Sequence, residues 1–339
     1  MSLGKDARHL QATAADRLPI SASIIRRIGV ASVLTLSFTI SSAANAAGYS
    51  WTEILIPSIG PLGLVIGIND HDQVAVNNAD GSKSGVYRNG VFTPLLAFPA
   101  GSSNVSTNGI NNAGVIVGGA FSPSDPTHEQ GFILIGTKYS FFSRPGWDNT
   151  EARAIANSGL ITGFNFNGPY SNQDFSTTAG FIYNPATKTF TDATPPGSGT
   201  GFSTAQGMNA SGRITGDGRQ PDGTGRYGFV WQQGTLSKDS QQLAPFLAQF
   251  RIADANTAAR GINDGGIIVG FFNPGGGGGG FVVNESRGFL VLVPPGGDAV
   301  GATIACDAIN NFNHVVCEVT DALGNNRAFI GTPRETDQQ

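Results

Sequence analysis

The chain has 339 residues, among them 48 Gly, 18 Pro and 22 Phe, with 40% hydrophobic and 13% charged positions. That apolar content excludes wholesale disorder, and Gly and Pro at this density exclude a helical bundle or coiled coil. A formal net charge of −4 excludes a generic basic nucleic-acid binder.

Residues 1–46 read as a cleavable export signal. Arg26 and Arg27 precede an apolar stretch, Ile28 to Ile40, and the small residues that follow predict cleavage between Ala46 and Ala47. The apolar stretch is too short to span a bilayer. The twin arginine leaves both the general and the twin-arginine export routes open. Removing this segment leaves 293 residues at a formal −7, with no further hydrophobic span. The expected product is soluble, monomeric, and secreted or periplasmic.

From there to about residue 333 the chain repeats itself. A phrase of the form G-I-N-x-x-G-x-I-x-G starts at Gly67, Gly109, Ala154, Gly207, Gly261 and Ala308. Its third position holds Asn69, Asn111, Ala156, Asn209, Asn263 and Asn310, spaced 42, 45, 53, 54 and 47 apart. Six units of about 48 residues have the length of four-stranded propeller blades. In each unit an apolar run, a four-residue turn opened by Asn and a second apolar run predict a hairpin of strands A and B. A Gly-Phe landmark such as Gly131-Phe132 or Gly180-Phe181 then predicts strand C, and a short polar turn leads to strand D. The sixth unit stops after its C strand. The unclaimed stretch Trp51 to Ile56 has the D pattern, so the first strand is expected to complete the last blade and close the ring. Residues 47–333 thus form one all-β domain, a six-bladed β-propeller, and 334–339 a disordered tail.

The phrase, the Gly-Phe strands and the Pro-Gly exits at Pro145-Gly146, Pro196-Gly197 and Pro295-Gly296 resemble the HAF-type extracellular repeat of bacterial secreted proteins. The resemblance covers about Trp51 to Gly331 and implies export and a repeat scaffold. It implies no catalytic residues. Departures are Ala156 in the Asn column, and Asp72 and Asn313 in the turn-glycine column.

The only two cysteines are Cys306 and Cys317. With 310–313 as the turn, 309 faces 314 and 306 faces 317, which predicts a disulfide rather than two buried thiols. The Asn column reads as turn chemistry, and the phenylalanines of the Gly-Phe strands as core between blades. Outside the signal the histidines are His71, His128 and His314, without metal-ligand spacing. Asp217 and Asp222 read as a solvated loop rather than a calcium loop. No nucleophile elbow, phosphate loop or dinucleotide fingerprint occurs, so no cofactor is expected. The glycine run 275–280 reads as a flexible spacer.

The A–B and C–D turns share one face of the ring, and the B–C and D–A loops, whose lengths vary, share the other. Variable loops on a rigid scaffold are where binding resides. This face offers Trp147, Phe166, Tyr170, Phe175, Arg219, Asp222, Arg226 and Tyr227. Trp147, Tyr170 and Arg219 are the expected contacts for an extracellular glycan, peptide or protein, bound without turnover. The alternative is an extracellular hydrolase or lyase acting on polysaccharide. Inward-facing carboxylates with a basic partner near the axis would favour that alternative.

Overall fold

The first strand, β1 (Tyr49–Glu53), does not pair with the strands that follow it in sequence. Blade one is β2 (Gly67–Ile68), β3 (Val74–Asn77), β4 (Ser84–Arg88) and β5 (Val91–Pro94). Blade two is β6 (Ser103–Ile110), β7 (Ile116–Ser122), β8 (Asp125–Ile135) and β9 (Lys138–Phe142). Blade three is β10 (Asn149–Ile155), β11 (Ile161–Phe166), β12 (Ala179–Asn184) and β13 (Thr189–Asp192). Blade four is β14 (Ser203–Met208), β15 (Arg213–Arg219), β16 (Arg226–Gln232) and β17 (Gln241–Gln242). Blade five is β18 (Asn256–Ile262), β19 (Ile268–Asn273), β20 (Gly279–Asn284) and β21 (Gly288–Leu292). Blade six is β22 (Thr303–Ile309), β23 (Val315–Thr320) and β24 (Asn326–Pro333), completed by β1. The computed structural model describes residues 48–95, 98–169, 178–194, 203–219, 226–232, 241–242, 256–273, 278–284 and 288–334. The expected cleavage site at Ala46 and Ala47, as well as Tyr170, Phe175, Asp222, most of the glycine run and the tail after 334, lie outside these residues.

Each blade is an antiparallel sheet in chain order, except that β1 pairs with β24, placing Trp51 opposite Gly331 and Glu53 opposite Phe329. The six A strands β2, β6, β10, β14, β18 and β22 touch their neighbours in a closed cycle, so they form the inner wall of the ring. The chain is therefore a six-bladed β-propeller closed by its N-terminal strand.

The final glycine of the phrase has a packing reason. A Cβ at Gly118, Gly163, Gly216 or Gly270 would lie within 2.0 Å of a carbonyl on the A strand. The same atom would meet the ring of Phe132, Phe181, Phe229 or Phe281. Each of these phenylalanines is no more than 1% exposed, and Phe329 fills the equivalent place in blade six. The Gly-Phe landmark and the phrase thus specify one another across strands B and C.

All six A–B turns share one geometry, departures included. Asp72 and Asn313 adopt left-handed φ of 55° and 63°, beside 75° and 86° at Gly114 and Gly159. Asn and Asp tolerate this conformation better than other non-glycine residues. Each Asn carboxamide oxygen caps its own turn, as where Asn310 Oδ1 accepts from the N–H groups of Phe312 (3.0 Å) and His314 (2.9 Å). Its Nδ2 then donates to the backbone of the next blade. Asn69 reaches Asn111 O (3.0 Å), Asn111 reaches Ala156 O (3.4 Å) and Asn209 reaches Asn263 O (3.1 Å). Asn263 reaches Asn310 O (3.1 Å), and Asn310 closes the belt on Asn69 O (3.1 Å). Turn chemistry alone understates this column, which also ties blade to blade.

The belt has one gap, at Ala156, although that turn keeps both backbone bonds (Ala156 N to Leu160 O and Gly159 N to Ala156 O, each 2.9 Å). Ala156→Asn should therefore stabilise the protein by about 1–2 kcal/mol, since each new hydrogen bond contributes about 1 kcal/mol. A thermal melt checks this, and a melting temperature unchanged or lowered would show that the side chain does not reach blade four.

Cys306 and Cys317 form a disulfide between directly paired residues, and both are fully buried. The expected register near the turn is corrected. Ile309 faces Val315, not His314, because Asn310 N bonds His314 O and lengthens the loop by one residue. A β-bulge at Asp307 takes up the extra residue and restores 306 opposite 317. Other blades carry Ala152–Gly163, Ala205–Gly216 and Ala259–Gly270 at this pair. The double variant Cys306→Ala, Cys317→Gly should fold with the ring intact and lose about 1–3 kcal/mol, because the closed loop is short. Urea unfolding measures the loss, and failure to fold would assign the bond a larger role.

A candidate ligand site at the ring axis

The bulge at Asp307 recurs. In blades two to six the A strand shifts register at Asn108, Arg153, Gln206, Arg260 and Asp307, each just before the first residue of the repeated phrase. A bulge re-aims the side chain of its extra residue. Here it collects five polar side chains on the inner wall. They join into one network. Asn108 Nδ2 donates to Glu151 Oε1 (3.1 Å), which also accepts from Arg153 Nη1 (2.9 Å). Arg153 Nε donates to Gln206 Oε1 (2.9 Å), and Gln206 Nε2 donates to Thr204 Oγ1 (2.9 Å). Thr204 Oγ1 donates to Asp217 Oδ1 at 2.7 Å. Arg260 pairs with Asp217 at 3.8 Å and with Asp307 at 3.6 Å, so the chain of contacts runs from blade two to blade six.

Burial shapes the electrostatics. Desolvation raises Asp307, opposed by the charges of Arg260 and Arg153, and it lowers Arg260, opposed by Asp217 and Asp307. Glu129, 1% exposed on β8, is pushed well above the ordinary carboxyl range by burial and by the charge of Glu151. Neither of its oxygens has a hydrogen-bond partner. Glu318 on β23 is raised to about 8 by burial and Asp307, while it accepts from the N–H of Val65 across the closing seam.

Because Glu318 holds its proton in the fold and not in the open chain, its contribution to stability is complete below about pH 4.5 and fades as pH rises toward 8. Stability should accordingly fall between pH 5 and pH 8, by about 1 kcal/mol per pH unit for each proton involved. Glu318→Gln should flatten the profile. Urea midpoints across that range test it, and midpoints that rise with pH would contradict it.

The expected contacts fare differently. Trp147 is half-buried in the D–A loop before β10, where its N–H bonds Arg144 O at 3.3 Å. Arg219 ends β15 opposite Arg226, and the Arg226 side chain is 42% exposed beside Asp217. Phe166 and Tyr227 are corrected to core, at 0% and 2% exposure, because β11 and β16 run further into the loops than expected. Asp217 is corrected from solvated loop to buried strand, 1% exposed. His128 pairs with Asp125 and His314 with Asp72, in different blades. Among the described residues, no group of three His, Cys, Asp or Glu side chains could hold a metal ion, and no helix is long and apolar enough to cross a membrane.

The axial network was missed from sequence, although a signal existed. The residue before the phrase is polar in five of six repeats, as Asn108, Arg153, Gln206, Arg260 and Asp307. The structure does place inward-facing carboxylates with basic partners near the axis.

No family model matches the chain, and no curated protein matches it. Among solved structures it is similar to a candidate gluconolactonase at TM-score 0.49 and 11% identity, covering 85% of this chain and 94% of the other. It is also similar to the β-propeller domain of the Trilobed protease from Pyrococcus furiosus (TM-score 0.47, 12% identity, 82% and 80% covered). A streptogramin B lyase gives 0.43 at 10% identity, with 85% and 98% covered. These are loose likenesses in chain path, and the assignment of six closed blades rests on the strand pairings described above.

Proposed function

We propose that the chain is an exported extracellular binding module, of the HAF-type repeat class it resembles, which holds a glycan, peptide or surface protein on its loop face without turning it over. The observation that carries this reading is the burial of the axial network, which leaves Glu129, Glu151 and Asp217 covered and so outweighs the pairing of carboxylates with basic partners that the enzyme reading calls for. Its charges compensate one another below the surface, and Arg226 brings it to solvent at 42% side-chain exposure on the face of variable loops. Such a network rigidifies a site and leaves the mouth to select the ligand. A buried disulfide supports passage through an oxidising compartment, secreted or periplasmic.

A polysaccharide hydrolase or lyase is the second reading, favoured by Glu129 and Glu151. A carboxyl held protonated beside one that is paired with an arginine is how acid–base pairs are set apart. Both are nearly covered, at 1% and 5% exposure, so binding comes first. A glycan and peptide array, with product analysis of every retained polysaccharide, separates the two. Trp147→Ala should weaken retention about tenfold at an unchanged melting temperature. Depolymerisation abolished by Glu151→Gln would transfer the assignment to the second reading.

A further inference from the structure

We propose that Glu129 and Glu151 hold a small monovalent metal cation, sodium or potassium, between blades two and three. The site is separate from the rim where the binding reading places a ligand. Glu129 is 1% exposed, and neither carboxyl oxygen has a hydrogen-bond partner, although its N–H is fixed to Asn149 Oδ1 of blade three at 2.8 Å. A Cβ at Gly119 would lie 2.1 Å from Glu129 Oε1, so the carboxyl fills the space that a side chain on β7 would take. Ser106 pairs directly with Gly119 and so shares that face. The Ser106 hydroxyl donates to Asn108 Oδ1 at 2.6 Å, and Asn108 donates to Glu151, which lines the interface from blade three. Both bonds that Glu151 accepts, from Asn108 and Arg153, end on Oε1, leaving Oε2 for a further contact. The interface thus offers four oxygens to a cation: both of Glu129, Oε2 of Glu151 and the Ser106 hydroxyl.

A proton alone leaves this carboxyl unsatisfied. The neutral group keeps an O–H donor and a carbonyl acceptor, both buried without a partner, whereas a cation engages both oxygens. The whole axial layer sets the charge. Its carboxyls are Glu129, Glu151, Asp217, Asp307 and Glu318, and its guanidiniums are Arg153, Arg260 and, at the rim, Arg226 and Arg219. Arg153 pairs with Glu151, Arg226 and Arg260 stand beside Asp217, and Arg260 also stands beside Asp307. Glu318 is held by the Val65 N–H and by Asn326. With Glu129 set aside, four carboxyls meet four guanidiniums, so ionised Glu129 is the one carboxylate of the layer without a counter-charge. One positive charge completes the count, and a divalent ion would exceed it. Carboxylate and hydroxyl oxygens are hard donors and select a hard metal ion.

Thermal melts of the mature protein in sodium, potassium or choline chloride, at one ionic strength of about 0.2 M, test this. Sodium or potassium should raise the melting temperature by about 3 °C or more over choline, which is too large to enter the interface. The larger of the two shifts identifies the preferred ion, and either order supports the site. Glu129→Gln should melt at one temperature in all three salts, and Ser106→Ala should keep about half of the parent's shift. Where Glu129→Gln does not fold, Ser106→Ala decides, and an undiminished shift there overturns the site. Equal melting of the parent in the three salts overturns it, since a proton or a water would then suffice. A shift retained in Glu129→Gln overturns it too, because the ion would bind elsewhere. Calcium that at about 1 mM stabilises the parent more than sodium does would overturn the monovalent ion.

Discussion

Deleting residues 49–56 should abolish the folded ring. Strand β1 supplies the outer edge of blade six, and without it β24 exposes a row of unpaired backbone groups from Phe329 to Pro333. The deletion also removes Tyr49, Ile54 and Ile56, which are 6%, 2% and 6% exposed. Ile54 and Ile56 pack with Val65 and Val74 of blade one and Val316 and Ala328 of blade six, so they seal the seam where the ring closes. Burial of three such side chains contributes about 1.5–3 kcal/mol each. The bidentate pair of Arg327 with Glu53, at 2.8 and 2.7 Å, is lost as well. The total approaches the whole stability of a typical domain, about 5–15 kcal/mol. Aggregation on expression, or loss of the cooperative melt, is the expected result. A truncated protein that melts like the parent would mean the ring does not depend on this strand.

The second large effect is expected at Asp217. Asp217→Ala leaves Arg260 buried with Asp307 as its remaining carboxylate among the described residues, removes the side-chain acceptor of Thr204 and takes a carboxylate from beside Arg226. Removing one member of a buried charge set costs about 3–5 kcal/mol, because the remaining charge keeps its desolvation penalty. Arg226→Gln, at the half-exposed rim, should cost under about 1 kcal/mol. Urea unfolding of both variants measures the contrast. Equal small losses would show that the axial network contributes little to the fold.

The blade count and the closing strand were legible because they repeat. One Asn column, read six times, fixes the period, and a D-like strand without a blade at one end answers a blade without a D strand at the other. The cysteine pairing was legible for a less secure reason, since the longer turn and the bulge at Asp307 cancel. Bulges are backbone features that one hairpin does not announce. For the same reason Asn108, Arg153, Gln206, Arg260 and Asp307 escaped notice: their column varies in residue type and its meaning depends on a register shift. Phe166 and Tyr227 misled because loop length was judged from polar residues, while the strands continue beneath them. Asp217 was placed in solvent by its Gly-rich surroundings, yet Gly216 and Gly218 serve close packing against Thr204, Phe229 and Tyr227.

On the proposed binding reading, the ligand sits at the axial mouth of the loop face and not on the face of the Asn belt. Hydrogen exchange by mass spectrometry, on protein saturated with the ligand that an array identifies, tests it most directly. Slowed exchange is expected in peptides that contain Arg219, Arg226 and Trp147, with the turns at Asn69, Asn111, Asn263 and Asn310 unchanged. Protection confined to those turns would place the ligand on the opposite face and contradict the account.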